Sequence, residues 1–213
     1  MRIGVLGSGT VGTTLASGFL AQGHQVTIGS REPGKLQDWA GKNSGARVAT
    51  PEETAKFAEV GVLAVKGTAA AAMVRAAGPA NLAGKPVIDA TNPLADAPPV
   101  NGVLRFFTSL DDSLMERLQR EFPQVRFVKA LNSVGSARMV NPLYAGGRPT
   151  MFICGADPSA KDVVTGLLDQ FGWEVEDMGG VEAARAIEPL CMLWCIPGLR
   201  HNQWTHAFKL LKA

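Results

Sequence analysis

The stretch MRIGVLGSGTVGTTLASGFLAQGHQVTIGSR, residues 1–31, decides the fold of this chain. A short apolar run over residues 1–6 predicts a strand, and the apolar spacing over residues 10–21 is typical of a helix that ends at Gly23. Residues 26–29 predict a second strand. A strand, a turn, a helix and a second strand in this order indicate the first unit of a parallel α/β sheet.

Three glycines in a GxGxxG pattern fall between the first predicted strand and the helix. In such a position the first glycine permits a tight turn, the second lets the backbone approach a pyrophosphate, and the third lets the helix pack on the strand. The helix N-terminus adds unpaired N–H groups and a positive dipole. A glycine loop that merely ends a strand is the alternative. We expect the phosphates of a dinucleotide to lie against Gly7, Ser8, Gly9, Thr10, Val11 and Gly12.

Basic side chains follow the second predicted strand. In sites that select NAD, an Asp or Glu at that point accepts hydrogen bonds from the 2′-hydroxyl of the adenosine ribose. Here Ser30 and Arg31 follow the strand, Lys35 lies one turn further on, and no acid ends the strand. Because Arg binds phosphate oxygens in pairs and Lys adds positive charge, this cluster favours a 2′-phosphate and hence NADP(H). A solvated basic surface at the start of the next helix is the alternative.

Composition indicates an ordinary globular protein. The 213 residues are 46% hydrophobic and 19% charged, which suits one domain or a large domain with a small appendage. A net charge of +2, spread along the chain, argues against a nucleic-acid or membrane partner. The cysteines fit neither a disulfide framework nor a zinc spacing, which favours a reducing compartment. With no leader and no membrane-spanning apolar run in the sequence, we expect a cytoplasmic location.

Strands and helices alternate over most of the chain. Further strands are predicted over residues 46–49, 60–65, 85–90 and 125–131, with helices over 33–42, 68–77 and 109–121. Residues 94–107 are rich in proline and long enough to form a functional flap. The fold class is therefore α/β, a Rossmann-type doubly wound and mostly parallel sheet with a small C-terminal helical lobe.

The last third of the chain changes character. We expect residues 1–140 to form an NADP-binding Rossmann domain, and residues 141–213 to extend the sheet and to contribute the acceptor site from a small lobe. Within that part, residues 151–154 and 173–177 predict edge strands. Residues 181–194 and 202–211 predict two amphipathic helices separated by Pro197-Gly198.

Four loops follow the carboxyl ends of the predicted strands, where ligands of open α/β sheets bind. Besides the glycine turn, they are residues 65–68, 91–93 and 132–135. We expect Val65 and Lys66 beside the dinucleotide, and Asn92 or Asn132 to hydrogen-bond a carboxamide or a ribose hydroxyl. A solvent-facing lysine and purely turn-forming asparagines are the alternatives.

The sequence predicts no catalytic acid–base pair and no metal site. His24 lies away from the predicted cleft, and Cys191 and Cys195 have the four-residue spacing that more often means core packing than redox chemistry. Hydride transfer between a nicotinamide and another planar redox ring needs alignment and exclusion of water more than it needs a protein acid. Candidates to line the site of such a ring, or equally to form an apolar helix interface, are Trp194, Trp204, Met178 and Met192.

Several motifs together resemble those of a known family. GSGTVG, IGSR with Lys35, KALNSVG and the final RAIEPLCMLW…AFKLL resemble the coenzyme F420-dependent NADP oxidoreductases and the similar reductase domain of the STEAP metalloreductases. The resemblance covers essentially the whole chain. It implies NADPH with its 2′-phosphate at Ser30, Arg31 and Lys35, hydride exchange with a deazaflavin or flavin ring as small-molecule acceptor, and a homodimer. Val65-Lys66 departs from the family, where many relatives have a proline.

Two other functions remain open at this level. An NADP-dependent reductase or dehydrogenase of a small carbonyl, imine or hydroxy acid shares the N-terminal fold. Such enzymes usually carry a long helical second domain and a placed lysine or similar acid, whereas here Lys129 lies on a predicted strand. A non-catalytic NADP(H)-binding redox sensor is also compatible with the fold.

Overall fold

The computed structural model describes residues 1–212 and contains a six-stranded parallel sheet in the order β3-β2-β1-β4-β5-β6. Its strands are β1 Arg2–Leu6, β2 Gln25–Gly29, β3 Ala46–Ala49, β4 Val60–Leu63, β5 Pro86–Asp89 and β6 Arg126–Lys129. The helices are α1 Thr10–Ala21, α2 Gln37–Lys42, α3 Pro51–Phe57, α4 Ala70–Ala77, α5 Leu114–Glu121, α6 Pro158–Gln170 and α7 Ala184–His201. The predicted Rossmann-type α/β fold is confirmed.

The sheet separates two apolar cores, because successive side chains of a strand point to opposite faces. In β1, Ile3 and Val5 belong to the core that contains α1 and α6. The next residue, Leu6, belongs to the core that contains α4 and α5. Since both faces are covered, the central strands are continuous apolar runs rather than alternating ones.

The strand order reverses between β1 and β4. The chain leaves β1 toward β2 on one side and leaves β4 toward β5 on the other, so the two crossovers diverge. In open α/β sheets a crevice opens at such a point, outside the carboxyl ends of the strands. The turn after β1 and the turn after β4 therefore face the same opening.

The strands of the last third form a second, small sheet. β7 Thr150–Ile153 and β8 Glu174–Asp177 pair in parallel with each other. Within residues 1–212 one antiparallel bridge, between Lys129 and Cys154, joins them to β6. The expectation that they add edge strands to the main sheet is wrong, because only Cys154, the residue after β7, forms an antiparallel bridge with β6, and β7 itself forms no ladder with it.

The expected break at Pro197-Gly198 is also wrong. A single 18-residue helix, α7, runs through Pro189 and Pro197 and ends at Asn202, which has a left-handed conformation with φ +55° and donates its N–H to the Gly198 carbonyl. Residues 202–212 are not helical. Trp204 and His206 pack against α7, and further along the Thr150 N–H of β7 donates to the carbonyl of Phe208 at 2.9 Å.

Helix α5 begins later than predicted because Ser113 caps it. The Ser113 hydroxyl accepts the N–H of Glu116, and the Glu116 carboxylate accepts the N–H of Ser113 at 2.8 Å. This reciprocal capping box fixes the helix start at Leu114.

Across residues 1–212 no helix combines the length and the apolar character needed to traverse a lipid bilayer.

Candidate functional site

A cleft of about 930 Å³ opens at the carboxyl edge of the sheet, at the point where the strand order reverses. Its lining residues come from the turns after β1, β2, β4 and β5, from α4 and from the flap. They are Gly7, Ser8, Gly9, Thr10, Val11, Ser30, Arg31, Glu32, Lys35, Ala64, Val65, Lys66, Gly67, Ala69, Ala72, Met73, Ala76, Ala90, Asn92, Leu94, Ala95, Asp96 and Leu104.

The three glycines of the GxGxxG turn differ in what surrounds them. Gly7 has φ +134°, and a Cβ there would lie 2.2 Å from the Ala64 carbonyl oxygen. A Cβ on Gly12 would lie 2.0 Å from the Gly7 carbonyl oxygen. At Gly9 a Cβ would meet no protein atom within 4 Å. Gly7 and Gly12 are thus required by the fold itself, whereas the open space at Gly9 is available to a ligand.

The N-terminus of α1 points its free N–H groups into this space. Gly9 is the N-cap residue, and no side chain caps the helix. The first N–H groups of an α-helix have no partner within the helix, and they carry the positive end of its dipole. The turn therefore combines open space, unpaired donors and positive potential, which is the arrangement that binds phosphate.

The strand end after β2 carries a hydroxyl, two cations and an acid. The Ser30 hydroxyl lies 3.3 Å from that of Ser8 and accepts the N–H of Glu32, so it is held between the glycine turn and this corner. The Glu32 carboxylate lies 2.8 Å from Lys35 Nζ. This hydrogen bond and the charge of Lys35 lower the pKa of Glu32. Among residues 1–212, Arg31 has no carboxylate within ion-pairing distance.

Glu32 was not predicted as a site residue. Its carboxylate lies within the cleft and neutralises the charge of Lys35. Arg31 is therefore the cation of this corner whose charge no carboxylate of the described residues balances. The signal that could have found this pair is the three-residue spacing across Pro33–Leu36, which forms a 3₁₀ turn. Residues three apart lie above one another in such a turn.

The turn after β4 approaches the loop after β5 very closely. A Cβ on Gly67 would lie 2.0 Å from the carbonyl oxygen of Asn92, so only glycine fits there. Val65 and Lys66 both line the cleft, as expected, and Lys66 Nζ lies 3.9 Å from the carboxylate of Asp96 in the flap. Both charged side chains are more than four-fifths exposed, so this contact is a weak one across the mouth of the cleft.

The two predicted asparagines bind each other. Asn92 lines the cleft and donates its side-chain N–H to the Asn132 carbonyl at 2.7 Å. Asn132 is buried behind it and is absent from the cleft lining; it donates to Asn92 Oδ1 at 3.3 Å and to the Ile187 carbonyl of α7 at 3.0 Å. The structure thus brings the two loops together, with Asn92 in front and Asn132 as its support.

The histidines and cysteines lie outside the cleft lining. His24 contacts Gln170 at 2.8 Å, and His206 stacks on Trp194 with ring centroids 5.0 Å apart. The hydrogen bond to Cys195 and burial raise the pKa of Cys191, which keeps that thiol neutral. The titratable side chains that line the cleft are Arg31, Glu32, Lys35, Lys66 and Asp96.

The aromatic residues of the C-terminal part also pack away from the cleft. Trp194 lies against Gly135 and donates its indole N–H to the His206 carbonyl at 2.8 Å. Trp204 covers Gly198 of α7. All residues that line the cleft lie between 7 and 104. The apolar wall beside the sheet edge comes from α4 and the flap, through Met73, Leu94, Ala95 and Leu104.

Comparison with known proteins gives two matches of substantial sequence identity. Residues 2–93 match a family model described as "NADP oxidoreductase coenzyme F420-dependent". A solved structure from Arthrobacter sp. FB24, assigned as an F420-dependent NADP-reductase, is 35% identical, with complete coverage of both chains and a TM-score of 0.93. Metalloreductase STEAP3 of Rattus norvegicus is 31% identical over 203 residues, 93% of this chain, and this chain spans 38% of its length.

A more distant structure shares the fold. An imine reductase from Streptomyces aurantiacus superposes with a TM-score of 0.70 at 16% identity, over 93% of this chain and 63% of its own. At that identity the likeness concerns the architecture alone.

Proposed function

Because the chain belongs to the family of coenzyme F420-dependent NADP oxidoreductases, we propose that it transfers hydride between NADP(H) and a deazaflavin of the F420 type or a flavin. The protein is an NADP-dependent oxidoreductase, and NADP(H) is its dinucleotide. The single observation that carries the proposed site is the open space at Gly9, bounded by the free N-terminus of α1 and continuous with the basic corner at Arg31.

The residues of the cleft fit the charged parts of NADP(H). We assign the pyrophosphate to the turn of residues 7–12, where Gly9 leaves room and the first N–H groups of α1 are free. We assign the 2′-phosphate to Ser30, Arg31 and Lys35. Arg31 provides the main charge, since Lys35 is already paired with Glu32.

The nicotinamide half then extends over β4 and β5. In a dinucleotide fold each half of the sheet holds one mononucleotide, so the half with β4, β5 and β6 receives the nicotinamide ribose. We assign this part to Val65, Lys66 and Asn92, with Asn132 holding Asn92 in place.

The chemistry of the site requires alignment rather than a protein acid. When bound, the dinucleotide supplies a hydride, which an acceptor ring takes up together with a proton from solvent. The protein holds the two rings in contact and excludes water with the apolar wall of Met73, Leu94, Ala95 and Leu104. The titratable groups of the cleft are exposed, charged side chains, and no His, Tyr or Cys belongs to its described lining. This supports ring-to-ring transfer over the reduction of a carbonyl or imine.

Two domain roles follow. We propose residues 1–140 as the NADP-binding domain and residues 141–213 as the part that completes the acceptor site. The contribution of the second part is supported by α7, whose Ile187 carbonyl holds Asn132 behind the cleft.

We further propose a homodimer in a reducing, cytoplasmic setting. Leu193 and Leu199 are exposed on α7, and the exposed Trp204 packs against the same helix. These side chains provide apolar surface suited to contact with a second copy. Cys154, Cys191 and Cys195 form no disulfide within residues 1–212. Sedimentation velocity tests the dimer. A monomer at the concentrations used for activity contradicts it, and Leu193→Glu is expected to dissociate the dimer.

Replacing Arg31 tests the cofactor assignment. Arg31→Asp reverses the charge beside the 2′-phosphate, so we expect the dissociation constant of NADPH to rise about 100-fold and that of NADH to rise only about twofold. Lys42→Asp, which makes the same charge change on the exposed surface of α2, is the matched control. Equal losses for NADPH and NADH would contradict the assignment.

The acceptor is tested by turnover. NADPH oxidation is measured with reduced-acceptor formation for F420, FMN, and a panel of small carbonyl, imine and hydroxy-acid compounds. We expect turnover with the deazaflavin or the flavin. Turnover confined to the small carbonyls, imines or hydroxy acids, or tight NADPH binding without turnover of either ring, would overturn the proposal.

A further inference from the structure

Three charged side chains are completely buried beneath the loop that carries Asn92. Lys129 Nζ of β6 lies 2.7 Å from Asp89 of β5 and 3.0 Å from Glu188 of α7. The same ammonium donates a third bond, at 2.9 Å, to the backbone carbonyl of Thr91. We call these three side chains the buried triad.

Burying the three charges of the triad costs free energy. Each ion loses its hydration, and a buried pair is often no more stabilising than apolar residues of the same volume. Burial lowers the pKa of Lys129, but the carboxylates of Asp89 and Glu188 outweigh that effect and raise the pKa above its ordinary value. The ammonium therefore stays charged at neutral pH. Since stability alone does not account for such an arrangement, the groups it holds in place become informative.

Asp89 and Lys129 together fix the backbone of the loop after β5. Asp89 Oδ1 accepts both the N–H of Thr91 at 3.0 Å and its hydroxyl at 2.6 Å. Lys129 binds the Thr91 carbonyl from the other side. All three polar groups of Thr91 are thus held by buried ions, and the next residue is Asn92, which faces the cleft.

We propose that Asp89 and Lys129 are positioning residues that set Asn92 at the nicotinamide end of the dinucleotide site. Glu188 has a different task. Its two oxygens accept the N–H groups of Leu114 and Met115, so it holds the first turn of α5 and supplies the second negative charge of the triad. This inference rests on the proposed NADP(H) site, and it assigns a purpose to the Lys129 of KALNSVG that the proposed site leaves unused.

The two carboxylates provide a matched pair of variants. Asp89→Asn and Glu188→Gln each remove one buried negative charge and replace one acceptor oxygen by an NH₂ group, and each leaves Lys129 with one carboxylate. Only Asp89 binds Thr91. A purely structural role predicts similar effects of the two variants, whereas the positioning role predicts effects on the nicotinamide end from Asp89→Asn alone.

The experiment uses two ligands on the full chain. NADPH reports the nicotinamide end through the fluorescence of its bound ring, and 2′,5′-ADP occupies the adenosine end without a nicotinamide. For Asp89→Asn we expect a changed NADPH emission and a dissociation constant for NADPH raised at least about threefold, with that of 2′,5′-ADP within about twofold of the wild type. For Glu188→Gln we expect both ligands to bind as in the wild type.

The possible outcomes distinguish the positioning role of Asp89 from a purely structural one. The inference is overturned if both variants change NADPH emission alike, if Asp89→Asn weakens both ligands equally, or if it changes neither. Failure of the wild-type chain to bind 2′,5′-ADP would instead refute the underlying NADP(H) site. If Asp89→Asn does not fold, Thr91→Val decides the question, because it removes only the hydroxyl bond to Asp89 and is expected to change NADPH emission in the same direction by a smaller amount.

Discussion

Gly9 and Gly12 stand three residues apart in one turn, yet they serve different purposes. The space beside Gly9 is open, whereas Gly12 touches the backbone of Gly7. A motif written as GxGxxG hides this difference, which becomes visible only when a methyl group is placed at each position. The two positions therefore allow ligand binding and folding to be separated by the same chemical change.

We expect Gly9→Ala to fold with an unchanged Tm and to bind NADPH at least about tenfold more weakly, because its methyl group occupies the space assigned to the pyrophosphate. We expect Gly12→Ala to lower the free energy of unfolding by about 1–3 kcal/mol, since a Cβ there overlaps the Gly7 carbonyl. Thermal unfolding and NADPH titration check both variants.

Gly41→Ala serves as the control for this pair. A Cβ on Gly41 meets no atom within 4 Å, and the residue lies in α2 outside the cleft lining. It should leave NADPH binding unchanged and stabilise the helix slightly. A Gly9→Ala variant that binds NADPH normally would show that the open space is not the phosphate site.

Glu32 gives a second prediction at the residue scale. Its carboxylate pairs with Lys35, so removing its charge frees the ammonium for a 2′-phosphate. We expect Glu32→Gln to tighten NADPH binding about two- to fivefold and to steepen its dependence on salt, because one more unpaired cation faces the phosphate. Titration of NADPH at several NaCl concentrations measures both effects.

Glu52→Gln is the matched control for Glu32→Gln. Glu52 pairs with Lys56 at 2.6 Å on the exposed surface of α3, away from the cleft lining. The same charge change there should leave NADPH affinity as it is. Weaker NADPH binding by Glu32→Gln would mean that Lys35 needs its acid partner to be held in place.

The sequence predicts the basic corner only in part. Ser30, Arg31 and Lys35 are visible as residues that follow a strand without an acid at its end. The compensation of Lys35 by Glu32 depends on the 3₁₀ turn of Pro33–Leu36, whereas the sequence pattern predicts one continuous helix over residues 33–42. The Asn92–Asn132 pair is hidden for a similar reason, since 40 residues separate two side chains that the parallel sheet brings together.

At the scale of elements, α5 and α7 are joined by an ion pair with a measurable pH signature. The guanidinium of Arg185 on α7 binds the Glu116 carboxylate through Nε at 3.0 and 3.1 Å. This bond, helped by the Ser113 cap, lowers the pKa of Glu116 from 4.5 to about 2. Because the folded chain holds this carboxylate ionised more strongly than the unfolded chain does, the ion pair contributes stability above about pH 4.5, and that contribution is lost as the pH falls toward 2.

We therefore expect Glu116→Gln to flatten the decline of Tm with acid. The glutamine still supports the capping box, so the variant removes the ion pair and leaves the helix start intact. Calorimetry of both proteins at about pH 6 and about pH 3 should show a larger loss of Tm in the wild type. Glu121→Gln, on the exposed end of the same helix, should follow the wild-type curve; a Glu116→Gln curve parallel to the wild type would contradict the assignment.

The types of the secondary-structure elements could be predicted better than the residues at which they end or the strands with which they pair. The apolar runs of β1, β4, β5 and β6 are evident in the sequence because those strands are buried on both faces. In α7 the sequence predicts a break at Pro197-Gly198, but the helix continues to His201 and is capped by Asn202 in the left-handed conformation. The separate pairing of β7 with β8 could not be predicted, since a strand pattern shows that a strand exists and not which neighbour it joins.

At the scale of the whole molecule, the cleft and the C-terminal tail are independent in space. Every residue that lines the cleft precedes residue 105, whereas the tail over residues 203–212 lies on β7 and α7. The tail supplies the carbonyl acceptors for the Thr150 N–H and the Trp194 indole N–H. Its contribution should therefore be to stability.

Removing residues 203–213 tests this separation. We expect the shortened chain to lose about 2–5 kcal/mol of stability, because two buried donors lose their acceptors and apolar surface on α7 is uncovered. The affinity for 2′,5′-ADP should stay within about twofold of that of the full chain at a temperature where both are folded. Chemical denaturation and titration with 2′,5′-ADP check this, and a folded truncation that no longer binds the ligand would show that the tail shapes the cleft.

The backbones of the two sheets make few contacts with each other. Among the described residues one β-bridge, Lys129 to Cys154, joins the backbones of the two sheets, and the Leu131 N–H also donates to the Met151 sulfur of β7 at 3.2 Å. In native-state amide exchange the smaller sheet should then open as a unit of its own, at lower free energy than the strands that carry the glycine turn. The backbone at that bridge belongs to the residue whose buried ammonium anchors Thr91, so the slowest-exchanging and the earlier-opening parts of the molecule border each other at Lys129.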